Sequence, residues 1–297
     1  MYDFQVTCRI SGGIIESDER AFDFQPPAPA QLVHGAVSKP QAGIRDSSIS
    51  LTLTGGGFAS EDEARTAGES AQRAAMLAGL LLGVGIDIGT DLAVGHPPKH
   101  GPGEVTGLKI HATAADLRSL NFWVGRPVTP LTVGSISNAL KESYAVGRRL
   151  HPKQLLAVQL YNQSHFHPSD SPRFVTLVSA IETLAVRAAR DPKSLEFVER
   201  VLVMATDACD LEPDQRASLI GGLRELRQQS IRTACRILVR THCGESDEKT
   251  FDRAYNIRST MLHEGEPPPG TCLDNEAHEL NHLVGRLLVA HINAGVI

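Results

Sequence analysis

No stretch of this 297-residue chain is apolar for long enough to cross a bilayer as a helix. Leu80, Leu81 and Leu82 come nearest, and glycines interrupt the run within a few residues. The N-terminus lacks the basic and apolar regions of a secretory signal, so the expectation is a cytoplasmic protein with no membrane partner. Cysteine is scarce. The five residues Cys8, Cys209, Cys235, Cys243 and Cys272 are odd in number, scattered, and contain no C-x-x-C pair. That argues against a disulfide framework and against a cysteine-based zinc site. An excess of positive charge is also missing: 29 Lys and Arg face 34 Asp and Glu, for a net charge of −5. Residues 135–297 carry 19 basic against 20 acidic side chains, and the first 134 carry 10 against 14. Neither half is basic, so any nucleic-acid contact must be local or built by a dimer.

What is present is an ordinary globular composition, 41% hydrophobic and 21% charged, in a chain long enough for two cores. The first part reads as strands around one helix. Phe4, Val6, Cys8 and Ile10 alternate, as do Ile49, Leu51 and Leu53, and Leu108 with Ile110; Ala21 to Phe24 is a further short strand. Residues 120–124 have the same strand character. Ser60 with Glu63 three residues on is a capping box, followed by a helix to about Leu82. Gly55, Gly56 and Gly57 precede that helix, but no Gly-Lys-Ser/Thr follows, so they read as a tight strand-to-helix turn and not a phosphate loop. His96 and His100 are four apart across two prolines and without a third ligand, a weak metal pattern.

From Ser135 onward the periodicity is helical. Candidate helices cover 135–149, 152–163, a third beginning at Ser171-Pro172, and a fourth beginning at Asp191-Pro192. A long fifth spans 213–241, weakened at Gly221-Gly222. Another is capped by Asp247 and ends at Gly265, before Pro267, Pro268 and Pro269; the last covers 273–293. Phe174, Leu177, Val178, Ile181, Leu184 and Ala185 form an apolar stripe. The expected architecture is an α+β N-terminal domain over residues 1–134 followed by an all-α helical bundle over 135–297.

One arginine does not fit a packing-only reading. Phe251, Ala254, Tyr255, Arg258 and Leu262 fall close together on a helical wheel, which sets a guanidinium on the apolar side of a helix. Burying that charge without a partner is expensive. His263 follows at the helix end. Glu182, at the edge of the stripe on the third helix, is the candidate partner that would orient Arg258.

The segments 174–184 and 255–265 together resemble the Apea-like branch of the HEPN superfamily, whose hallmark is Arg, four to six residues, then His; here it is Arg258-x4-His263, ending His-Glu-Gly. The resemblance covers roughly residues 154–293. It implies a HEPN-like bundle that dimerises and cleaves RNA without a metal or other cofactor, by attack of a ribose 2′-oxygen on the neighbouring phosphate. In that reading His263 is the acid/base and Arg258 stabilises phosphate charge, with Tyr255, Ser259 and Glu182 in support. The alternative within the same family is an inactive module that binds RNA or a nucleotide. Serine at 259 departs from active members, which often carry Asn, Asp or His there. On a regular helix five residues turn Arg258 and His263 roughly 140° apart, so they converge only if the helix distorts near Met261 or if two subunits share the site. Arg232, Arg236 and Arg240 recur every four residues and are a candidate RNA track, set against the blander reading of a solvated face.

His278-Glu279-Leu280-Asn281-His282 is a literal H-E-x-x-H. The third ligand position of the extended zinc-protease motif is Leu288, and both histidines fall opposite the apolar face formed by Leu273, Leu280, Leu283, Val284 and Leu287. A hydrolytic zinc needs three ligands in a shielded cleft, so the protease reading is disfavoured and no metal is expected.

Overall fold

The computed structural model describes residues 1–15, 19–26, 32–38, 49–89, 107–112, 129–147, 150–208 and 211–295. The strands are β1 (Tyr2–Ser11), β2 (Gly13–Ile15), β3 (Ala21–Phe24), β4 (Val33–Ser38), β5 (Ile49–Phe58), β6 (Gly85–Asp87), β7 (Gly107–Ala112) and β8 (Thr129–Leu131). The helices are α1 (Glu61–Leu82), α2 (Val133–Gly147), α3 (Pro152–Ser164), α4 (Asp170–Leu184) and α5 (Pro192–Asp207). They continue with α6 (Pro213–Glu225), α7 (Ile231–Cys243), α8 (Glu245–Glu264) and α9 (Leu273–Asn293). The chain is thus an α+β N-terminal part followed by a helical bundle. His96, His100 and the expected strand at 120–124 lie outside the described residues.

β1 is the spine of the larger sheet. It pairs antiparallel with β5 on one side, and β4 and β3 extend that side; on its other edge β7 and β6 follow end to end. β5 and β6 both run opposite to β1, so α1 makes a crossover between two parallel strands that flank it. The alternation in β1 serves this packing: Phe4, Val6, Cys8 and Ile10 are buried. The three glycines are not a turn. They lie within β5, where a Cβ at Gly55 would sit 2.5 Å from the Phe4 ring and one at Gly56 would sit 2.4 Å from the Asp3 carboxylate. Only Ala59 and Ser60 separate strand from helix. Ser60 Oγ accepts a hydrogen bond from the Glu63 N–H, and the Glu63 carboxylate accepts one from the Ala59 N–H.

α1 is narrow. Ala64, Ala71, Ala74, Ala75, Ala78 and Gly79 are buried on it, so the sheet, α2 and α3 can all approach closely. α2, expected as a linking helix, packs along α1 and sets Tyr144 edge-on against Phe24 of β3. The α+β layer and the bundle share one continuous apolar core. At their junction stands Asn162 of α3, which is buried. Its Oδ1 accepts from the Ile86 N–H of β6 at 2.7 Å, and its Nδ2 donates to the carbonyls of Met76 at 3.1 Å and Val158 at 2.8 Å. A Cβ on Gly79 would fall 2.5 Å from Asn162 Oδ1, which explains glycine in the middle of a helix there.

In the bundle, α4 is central. All six residues of its expected stripe are buried, and it packs against α3, α7, α8 and α9. The expected single helix over 213–241 is two helices. The break falls after Leu226 and not at the glycine pair, because Ser230 caps α7 by accepting from the Thr233 N–H at 3.1 Å. Arg187 holds the break in place by donating to the carbonyls of Gln229 at 2.7 Å and Glu225 at 3.1 Å. α8 begins at Glu245, earlier than expected, and Asp247 is not its cap; the Asp247 carboxylate accepts from Arg286 of α9 at 2.8 Å. Among the described residues no helix is long and apolar enough to cross a membrane.

Candidate functional site

The apolar face of α8 consists of Phe251, Ala254, Ile257 and Met261, all buried. Leu262, expected on that face, is 55% exposed. Tyr255 and Arg258 therefore lie at the edge of the buried stripe, within reach of α4 and α7. The Arg258 guanidinium meets the Glu182 carboxylate at 3.2 Å, with the two side chains only 23% and 17% exposed. Arg258 Nε is buried and has no hydrogen-bond partner among the described residues. Tyr255 presents its ring to two guanidinium groups, Arg258 at 5.8 Å and Arg232 at 5.7 Å from the centroid. The aromatic face thus supports both cations where water is partly excluded.

Electrostatics follow from that burial. Glu182 is pushed above the ordinary carboxylate range because burial outweighs the nearby Arg258 charge. Tyr255 is raised for the same reason, burial first and then Glu182. Cys235 of α7, fully buried, completes the cluster; burial, assisted by Glu182, pushes its thiol up to about 12, so it is a neutral packing group. Cys235 was not singled out from the sequence, although the buried positions Ala234, Cys235 and Val239 mark the inner face of α7.

His263 occupies the last turn of α8 and is exposed. α8 is regular α-helix from Glu245 to Glu264 and stops at Gly265, whose left-handed φ of 85° returns its N–H to the Met261 carbonyl at 3.0 Å. The distortion near Met261 that would bring Arg258 and His263 together within one chain is absent. The two side chains diverge as a straight helix requires, roughly 140° apart. Ser259, half-buried, follows Arg258 on the same helix.

The arginine stripe of α7 is a zipper to α8. Arg232 donates to Asp252 at 2.8 Å, Arg236 to Glu248 at 3.0 Å, and Arg240 to Glu245 at 2.7 Å. Carboxylates thus match the charge of each of the three arginines, and a bare cationic track is not what α7 presents. An open cavity of about 840 Å³ lies beside α8, toward the start of α9 and the proline turn, and is lined by Asp252, Arg253, Asn256, Thr271 and Glu276 among others. Arg258, His263 and Glu182 do not line it.

His278, Glu279 and His282 sit on the exposed side of α9. The two imidazoles approach at 3.1 Å, Nε2 to Nε2, and the Glu279 carboxylate is taken by the Arg253 guanidinium. Glu279 is therefore engaged in an ion pair and not poised over a water molecule. Among the described residues no group of three or more His, Cys, Asp or Glu side chains could hold a metal ion. No family model, no curated protein and no solved structure matches this chain.

Proposed function

We propose that this chain is a metal-independent endoribonuclease of HEPN type, with a site assembled from two copies. Arg258 of one copy and His263 of the other flank the scissile phosphate. His263 takes the proton from the ribose 2′-hydroxyl or returns one to the departing 5′-oxygen. The 2′-oxygen forms a bond to phosphorus as the bond to the 5′-oxygen breaks, leaving a 2′,3′-cyclic phosphate. Arg258 stabilises charge on the phosphate oxygens in the transition state.

The observation that carries this reading is the placement of Arg258. A guanidinium held by Glu182 and Tyr255, half out of water, is oriented before any ligand arrives. The sharing between copies follows from the straightness of α8, which directs the exposed His263 away from its own Arg258. A second reading, an RNA- or nucleotide-binding module that does not cut, draws on the same facts. Arg258 already has a carboxylate partner, and Ser259 stands where active relatives often carry Asn, Asp or His.

Labelled single-stranded RNA incubated with the protein in EDTA separates them. The nuclease reading expects cleavage with cyclic phosphate ends, lost in both Arg258→Ala and His263→Ala. Cleavage indifferent to both substitutions contradicts it, and binding without cleavage favours the module.

A further inference from the structure

Helices α5 and α6 stand apart from the rest of the bundle. They run antiparallel and pack on each other, with no more than marginal contact to any other described element. Val198, Leu202 and Ala205 face α6 and are buried, but they are not part of the main core. α6 has no buried residue at all. The hairpin is fastened at its base. Arg187 and Arg190 donate to the carbonyls of Glu225 and Leu226 at 3.1 and 2.7 Å, and Arg227 forms a forked ion pair with Glu199 at 2.7 and 2.9 Å.

Each helix carries a second apolar stripe facing water. On α5 it is Phe197, Val201 and Met204, with Phe197 59% and Met204 72% exposed. On α6 it is Leu219 and Leu226, both 46% exposed, while the half-buried Arg216, Ile220 and Leu223 mark the side toward α5. In both helices this stripe lies roughly 90° from the one that faces the other helix, in the same rotational sense. Because the helices are antiparallel, both outer stripes emerge on one face of the hairpin. Gly222 lies between Leu219 and Leu226 on that face, and a Cβ there would meet nothing within 4 Å. A helix interior with two adjacent glycines and no buried side chain is poorly stabilised by its own chain.

We infer that this hairpin is a self-association arm that docks face to face on the arm of a second copy, closing a four-helix bundle across a two-fold axis. Phe197, Met204, Leu219 and Leu226, between 46% and 72% exposed, present the large apolar side chains from which the core of a standard interface of about 800 Å² per partner is built. The charges fit as well. The tip carries Asp207, Glu212 and Asp214 against Arg216, whereas toward the base Lys193, Arg200 and Arg224 stand against Glu196, with Glu199 and Glu225 already paired to Arg227 and Arg187. Two arms laid antiparallel set each base against the partner's tip. This contact is separate from the Arg258–His263 site, no part of which is on the arm, and it stands whether or not the protein cuts RNA.

Sedimentation velocity of the full chain over a concentration series, with hydrogen exchange at the two ends of that series, tests it. The wild type associates, and amides in residues 197–204 and 219–226 gain protection as concentration rises. Met204→Glu and Leu219→Glu each raise the dissociation constant about tenfold or more, as expected for side chains central to an interface. Val203→Glu adds the same charge one residue along, on the other side of α5, and leaves association unchanged. All three positions are exposed, so far-UV circular dichroism stays that of the wild type. A chain that remains monomeric, association with no protection in the arm, or equal weakening by Val203→Glu and Met204→Glu overturns the inference.

Discussion

Arg258 and Glu182 meet at 3.2 Å across α8 and α4, at the boundary between the apolar core and solvent. Neither is placed there by packing alone. Glu182 sits next to Ile181, which is fully buried, and Arg258 next to Ile257, which is nearly so. The pair fixes where the guanidinium points, and any chemistry assigned to Arg258 depends on it.

Removing one member tests how tightly the pair is coupled. Glu182→Ala leaves the Arg258 guanidinium half-buried without its carboxylate and is expected to cost about 1–3 kcal/mol. Glu182→Gln keeps an acceptor for Arg258 and costs less. The pH dependence has a definite sign. With Glu182 titrating above its ordinary value, the folded chain holds that proton more tightly than the unfolded chain does. The Glu182 contribution to stability is therefore largest at low pH and falls as pH rises through the window above the ordinary carboxylate value. Urea titrations of wild type and Glu182→Gln across that window check this: the variant lacks the fall.

Asn162 is expected to be the most costly single position at the junction of sheet and bundle. Asn162→Ala strips the acceptor from the Ile86 N–H and removes a donor shared by two helix carbonyls. The expected loss is about 2–4 kcal/mol, measured by chemical denaturation, since a buried amide is left unsatisfied and a cavity is opened. Gly79→Ala drives a Cβ against the same Asn162 oxygen and is destabilising in the same assay, against the usual helix preference for alanine.

His291 predicts an acid-sensitive step. It is buried on α9, its Nδ1 pairs with Gln154 Nε2 at 3.1 Å, and the His242 ring lies 5.3 Å away. Burial and His242 hold its pKa below the usual histidine value. The unfolded chain therefore takes up the proton first, and the His291 contribution is present above about pH 6.5 and lost as pH falls below it. Wild type should lose stability between neutral and mildly acidic pH more steeply than His291→Gln, as read from thermal melts over that range.

Much of this architecture was legible because it rests on local rules. The stripe on α4 and the alternation in β1 are direct consequences of periods near 3.6 and 2, and each buries the residues it named. What stayed hidden depends on contacts remote in sequence. β4 and β6 have little pattern of their own and exist through pairing with β5 and β1. The break between α6 and α7 is set by Ser230 and by Arg187, some forty residues earlier, and α6 runs unbroken through the glycine pair. At the site, the helical wheel offers Glu182, at the edge of its stripe, as a candidate partner for Arg258, and the two side chains meet. The wheel could not show that acidic residues on α8 would match Arg232, Arg236 and Arg240 one by one.

A mixing experiment tests the shared site most directly. Arg258→Ala and His263→Ala are each expected to lack RNA cleavage. Mixed and allowed to exchange subunits, half the dimers pair one variant with the other, and each such dimer contains one site with both Arg258 and His263 intact. Activity should return to about a quarter of the wild-type value. If the mixture stays as inactive as its two components, although subunit exchange is verified, the site is not shared between copies and this account is contradicted.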